Sequence, residues 1–247
     1  MSQDTIADFK IQKETCLDGT GKSHNPLPSF ATEEALKQLY YLINLTRAVD
    51  AKAIHLQRTG QMSTYPSSLG QEAISTAIGY AMTDADVLCP YYRDQGAVLQ
   101  RGMSISNLYR IWGGDERGSL NTSHQQDLPF CIPIAGQYQH ATGVAFAIQY
   151  RAESRAVVAT GGDASTSKGD FYEAINVAGA WNLPIVFVIN NNQWGISVPT
   201  SGQTRCQTLA QKGIAAGIDC IQVDGNDVVA VTHVVNEALA KARANAG

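Results

Sequence analysis

Two oxygen-bearing side chains stand 29 positions apart in this chain, Asp163 and Asn192. Asp163 follows Gly161-Gly162 after a short apolar run, Ala156 to Ala159, and Asn192 closes the run Asn190-Asn191-Asn192 after a second apolar stretch. That interval holds one loop, one helix and one strand, so it delivers a carboxylate and an amide oxygen from two strand ends to one place. Hard oxygen ligands of this kind suit a divalent cation, Mg²⁺ above all. Mg²⁺ takes few protein ligands and fills its other positions with phosphate oxygens, so the pair implies a diphosphate cofactor as well as a metal. Trp194 adds a backbone carbonyl if the loop after Asn192 curls back. The plainer alternative is that Asp163 caps a helix and the asparagine run makes a turn.

The flanking pattern predicts a βαβ unit: strand 156–160, helix 169–181, strand 184–190. Phe171, Ala174, Ile175, Ala178 and Trp181 share one face of that helix. A third strand is expected over 220–223 and a last helix over 227–246. Before the unit, Thr32 is a plausible N-cap for a helix running to about Arg58, with Glu33 and Glu34 at its positive end and Leu36, Leu39, Ile43, Val49 and Ala53 along a stripe. A second helix is expected over 71–82 with Ala73, Ala77 and Ile78 inward. A third is expected over 107–112, a long loop over 113–131 and a helical pattern over 141–151. Residues 1–30, with Gly19, Gly21, Pro26 and Pro28, read as an extended arm, and 31–247 as one domain. Strand alternating with helix predicts an α/β fold, a parallel sheet with helices on both faces. In such sheets ligands sit outside the carboxyl ends of the strands.

Composition narrows the function. Of 247 residues, 44% are hydrophobic, enough for a real core, and 16% are charged. The net charge of −4 comes with no basic run, which argues against nucleic acid. Cys16, Cys89, Cys131, Cys206 and Cys220 are odd in number and scattered, which predicts reduced thiols in a cytoplasmic setting. The opening MSQDTIADFK has no apolar core of a secretory signal, and no apolar stretch is long enough to span a membrane. No GxGxxG or GxxxxGK[ST] follows a strand, which weighs against a plain mononucleotide-binding module.

With GDFYEAINVAGAW between its two ligand runs, the segment resembles the thiamine-diphosphate motif of the α subunit of 2-oxo acid dehydrogenase E1 components. LGQEA (69–73) and YRDQG (92–96) support the likeness, which runs from about Thr32 to the C-terminus. GGDERGS (113–119) and LAQKGIAAGI with QVDGND (209–227) make it most similar to bacterial pyruvate dehydrogenase E1 α subunits. The resemblance implies a thiamine-diphosphate-binding, transketolase-like fold. It implies Mg²⁺ on Asp163, Asn192 and the Trp194 carbonyl, with the diphosphate held by Tyr92 and Arg93 and by the backbones of Ala164 and Ser165. Ile132 and Ile134 would line the aminopyrimidine, Ile134 also wedging the cofactor into a bent shape. For Arg93 the alternative is an ion pair with Asp94 or another acid, and for the two isoleucines it is core packing.

The implied reaction is oxidative decarboxylation of pyruvate, a small 2-oxo acid, with acyl transfer to the lipoyl domain of E2. The implied assembly is an α₂β₂ heterotetramer with an E1 β subunit, which supplies the glutamate acting on the cofactor. A branched-chain 2-oxo acid or acetoin dehydrogenase α subunit is the alternative within this class, and a non-catalytic scaffold subunit lies outside it. Two departures stand out. Ala164 replaces the family's usual glycine. The sequence ends at Gly247, where the family continues into a further strand and a loop with a catalytic histidine, so the expectation is a domain incomplete at its C-terminus. No catalytic residue is assigned. Gln71 and Glu72 read as a favourable helix start, Thr64 and Tyr65 as a border of the substrate pocket, and His124 and His140 as the histidines nearest the site.

Overall fold

The computed structural model describes residues 3–23, 25–121 and 123–247. Positions 1, 2 and 24 of the expected arm and 122 of the expected long loop lie outside the described residues. In chain order the elements are β1 (Lys13–Glu14), α1 (Glu33–Arg58), α2 (Glu72–Ala81), β2 (Val87–Cys89), α3 (Gln95–Gln100) and α4 (Ile105–Trp112). There follow α5 (Gly136–Tyr150), β3 (Val157–Gly162), α6 (Gly169–Trp181), β4 (Ile185–Asn190), β5 (Trp194–Gly195) and β6 (Val198–Pro199). Then come α7 (Thr200–Gln203), α8 (Gln211–Ala215), β7 (Gln222–Val223) and α9 (Val228–Arg243). Short 3-10 turns lie at Glu116–Ser119 and Asp163–Ser167.

The centre is a parallel sheet in the order β2-β3-β4. Alternate residues of each strand face opposite layers, as the pleat demands. Leu88, Val158, Val186 and Val188 join α2 and α9 in one core. Val87, Cys89, Val157, Ala159, Ile185 and Phe187 join α5 and α6 in the other. Helices thus cover both faces, as the alternation of elements predicts.

Helix α1 starts where its cap predicts. Thr32 Oγ1 accepts the Ala35 N–H at 3.2 Å, and the helix ends at Arg58. Helix α6 spans 169–181 as expected and buries Phe171, Ala174, Ile175 and Ala178. Trp181, on the same projected face, is 54% exposed and lies against Phe146, ring centroids 5.2 Å apart. That contact lies at the surface, Phe146 itself being 44% exposed, so helical period alone misplaces Trp181.

The third sheet strand is a correction. Residues 222–223 pair with the arm, Lys13 opposite Gln222 and Glu14 opposite Val223, in a separate two-stranded sheet. The third member of the central sheet is β2, only three residues long and hidden between Asp86 and Pro90. Two ion pairs hold its start and its middle. Asp86 receives Arg243 of α9, and Asp127, which binds the Leu88 N–H at 2.9 Å, receives Arg101 Nη2 at 2.9 Å. Among the described residues no helix is long and apolar enough to cross a membrane.

Candidate functional site

Strands β3 and β4 run in register, Gly162 opposite Asn190, and both exit at the same edge of the sheet. Asp163 is the first residue beyond β3, and Asn192 the second beyond β4. Gly161 permits this exit: a Cβ there would stand 1.9 Å from the Tyr138 hydroxyl. That hydroxyl instead lies 2.8 Å from Ser165 Oγ and fixes the 3-10 turn that begins at Asp163.

Asp163 is 2% exposed. Its Oδ2 accepts the Thr200 hydroxyl at 2.8 Å, and its Oδ1 makes no hydrogen bond among the described residues. One carboxylate oxygen is therefore engaged within the fold and the other is free to accept a further partner. Asn192 Oδ1 accepts the Trp194 N–H at 3.0 Å, which curls the loop back. Gln193 at φ 69° and Ile196 at φ 58° bracket Trp194 and Gly195 in left-handed backbone. The curled loop reaches the turn after β3, because a Cβ on Gly195 would stand 2.7 Å from Ala164 Cβ. Asp163, Asn192 and Trp194 thus gather at one edge, with Asn192 and Trp194 exposed. Ala164 does not have positive φ, so its methyl group causes no backbone strain.

Tyr92 and Arg93 follow β2 at the same edge. The Arg93 guanidinium lies 5.5 Å from the Tyr92 ring centroid and donates to the Ser67 carbonyl. The expected alternative, an ion pair with Asp94, does not form. Asp94 points inward and is 2% exposed. Burial pushes its carboxyl up to about 7, against the opposing hydrogen bonds from the Thr160 hydroxyl and the Tyr91 N–H. Beside this turn, Cys131 bridges to Tyr91, carrying Ile132 and Ile134 to the rim. Both isoleucines are exposed, 55% and 40%, which removes core packing as their explanation. Lys168 Nζ, 3.0 Å from the Ile134 carbonyl, ties their loop to the start of α6.

The sequence model of the family described as dehydrogenase E1 component matches residues 40–247. The chain belongs to that family. It is 37% identical over 231 residues to the pyruvate dehydrogenase E1 component subunit alpha of Mycoplasma genitalium, covering 93% of this chain and 64% of the relative. It is 39% identical over 230 residues to the 3-methyl-2-oxobutanoate dehydrogenase subunit alpha of Mycobacterium tuberculosis, covering 93% and 63%. This E1 component chain therefore spans under two thirds of the length of these curated relatives. The fold is similar to that of transketolase from Leishmania mexicana, with a TM-score of 0.58 at 18% identity over 81% of this chain and 34% of that one.

In this E1 component chain several expected residues have structural duties. Glu72 is a buried partner of Arg47, Nε to Oε1 2.9 Å, and accepts the Gly70 N–H. Tyr65 is buried against Trp112, and its hydroxyl donates to Asp50 Oδ1 at 3.1 Å, so it forms no open wall. Burial, with Asp50 beside it, pushes that phenol well up. Thr64 is exposed. His124 is tied to the Arg101 carbonyl at 2.6 Å and to Asp84, and His140 is exposed on α5. Lys212, 4% exposed, was invisible to pattern reading. Its Nζ donates to the Thr166 carbonyl at 2.7 Å and to Thr166 Oγ1 at 2.9 Å, and so clamps the turn that starts at Asp163. A lone lysine in a polar stretch carries no sequence signal of burial.

Proposed function

We propose that this chain is the α subunit of a 2-oxo acid dehydrogenase E1 component that decarboxylates pyruvate oxidatively with thiamine diphosphate and Mg²⁺. The observation that carries the reading is the convergence of Asp163, Asn192 and the Trp194 loop at the joint exit of β3 and β4. An oxygen donor set in which one carboxylate oxygen of Asp163 makes no hydrogen bond fits a hard cation. No cluster of three His, Cys, Asp or Glu side chains occurs among the described residues. A site built from one carboxylate, one amide and one carbonyl needs none.

In this reading Asp163, Asn192 and the Trp194 carbonyl hold Mg²⁺. Arg93 meets the diphosphate with charge-assisted hydrogen bonds from its planar fork, and Tyr92 stacks beneath it. The backbones of Ala164 and Ser165 line the same anion. The exposed Ile132 and Ile134 offer an apolar rim to the aminopyrimidine. When bound, thiamine diphosphate supplies the electron sink for cleavage of the bond between the carboxyl and the 2-oxo carbon. This chain's residues bind, orient and neutralise; none of them is assigned a proton transfer. The β subunit of an α₂β₂ assembly completes the site, the lipoyl domain of E2 receives the acyl group, and the setting is the cytoplasm.

A branched-chain substrate is the second reading, favoured by the 39% identity to the Mycobacterium tuberculosis relative. The test is calorimetry of thiamine diphosphate on the chain co-expressed with an E1 β subunit, with and without Mg²⁺. Asp163→Ala abolishes the Mg²⁺-dependent binding; unchanged affinity overturns the assignment. Decarboxylation of pyruvate against 3-methyl-2-oxobutanoate by the same complex ranks the two substrates.

A further inference from the structure

The pair Tyr92-Arg93 is bracketed by two residues whose side chains turn the other way. Tyr91 is 5% exposed and Asp94 2%. The Tyr91 hydroxyl donates to Gln71 Oε1 at 3.0 Å and accepts from Asn190 Nδ2 at 3.0 Å. Asn190 Nδ2 also donates to Gln71 Oε1 at 2.6 Å, which closes a triangle. Its corners are the N-cap position of α2, the turn after β2 and the last residue of β4. On the other side, the Tyr91 N–H meets Asp94 Oδ2 at 3.1 Å and Thr160 Oγ1 at 3.0 Å, and the Thr160 hydroxyl donates to Asp94. Thr160 stands on β3 three positions before Asp163.

The turn that presents Arg93 is thus pinned to β3 and β4 immediately below the exits that carry Asp163 and Asn192. Packing alone does not explain the triangle. Phenylalanine and leucine would fill the same space without three polar groups to satisfy, and a fully paired polar network serves to select one arrangement.

We propose that Gln71, Tyr91 and Asn190 are positioning residues that hold the Arg93 turn in register with the Asn192–Trp194 loop. The two halves of the cofactor's metal–diphosphate end then meet preassembled, and the ligand need not order them on binding. This inference rests on the functional reading above. None of the three residues is required to touch the ligand.

The test is a double-mutant cycle read as thiamine diphosphate affinity in the presence of Mg²⁺, on the chain co-expressed with an E1 β subunit. Tyr91→Phe raises Kd about tenfold while leaving the thermal midpoint of the ligand-free complex nearly unchanged. Arg93→Ala raises Kd further. In the Arg93→Ala background, Tyr91→Phe adds less than about twofold, because the group it positions is gone. Gln71→Leu, which removes the shared acceptor at a half-buried helix start, repeats the pattern and serves if Tyr91→Phe does not fold. The proposal is overturned if Arg93→Ala weakens binding and Tyr91→Phe or Gln71→Leu does not. It is equally overturned if the two effects multiply in full. If the unsubstituted complex shows no Mg²⁺-dependent binding, the functional reading itself fails and the positioning role with it.

Discussion

Gly195 lies directly against Ala164: a Cβ on the glycine would stand 2.7 Å from the alanine methyl. The two residues belong to the loops after β4 and β3, so this contact sets the distance between the candidate metal-binding segments. Gly195→Ala forces the loops apart at a cost of about 1–3 kcal/mol. It should weaken Mg²⁺-dependent thiamine diphosphate binding by about tenfold. Ala164→Gly in the same chain removes the opposing methyl and should restore most of the affinity. Calorimetry of the single and double variants checks this, and a double variant as weak as Gly195→Ala would refute the contact's role.

Asp94 makes stability depend on pH in an unusual direction. Its carboxyl is pushed from 3.8 in the unfolded chain to about 7 in the fold by burial. Between those values the native chain holds the extra proton, so the contribution is complete below the lower value and is lost as pH rises through the upper one. The shift corresponds to at most about 4 kcal/mol. Asp94→Asn keeps an acceptor for the Tyr91 N–H and the Thr160 hydroxyl but carries no charge. Urea unfolding should show the native chain weakening between about pH 4 and pH 7, with the variant losing less over the same range. Identical losses would remove Asp94 as the cause.

Asp86 behaves in the opposite sense. Burial drives its carboxyl upward, but hydrogen bonds from Arg243, the Ala156 N–H and Thr83 outweigh this and hold it below the usual carboxylate range. The stabilisation it gives is present above the ordinary carboxylate value and fades as pH falls through the depressed one. Asp86→Ala strands the Arg243 guanidinium that fastens α9 to the start of β2, and should cost about 3–5 kcal/mol in urea unfolding at neutral pH. A loss within experimental error would mean the pair contributes nothing.

The sequence made legible what depends on local chemistry. Thr32 announced α1, and Phe171, Ala174, Ile175 and Ala178 announced α6. The Asp163 and Asn192 runs marked two strand exits that are indeed neighbours. What stayed hidden depends on tertiary contacts. A strand as short as Val87–Cys89 carries no period, and its place in the sheet comes from pairing with β3. Residues 222–223 look like a strand and are one, but pairing with Lys13–Glu14 is a long-range event with no local signature. The inward turn of Tyr91 and Asp94, beside outward Tyr92 and Arg93, likewise follows from partners on β3 and β4, 66 to 99 positions away.

Asp227 joins the arm to the head of α9. One carboxylate oxygen takes the Val229 and Ala230 amides at the head of α9, and the other takes those of Cys16 and Leu17 in the arm. The arm is therefore a latch on α9. Opening on either side of Asp227 releases donors on the other, so the arm and the head of α9 should open as one cooperative unit although more than two hundred positions separate them.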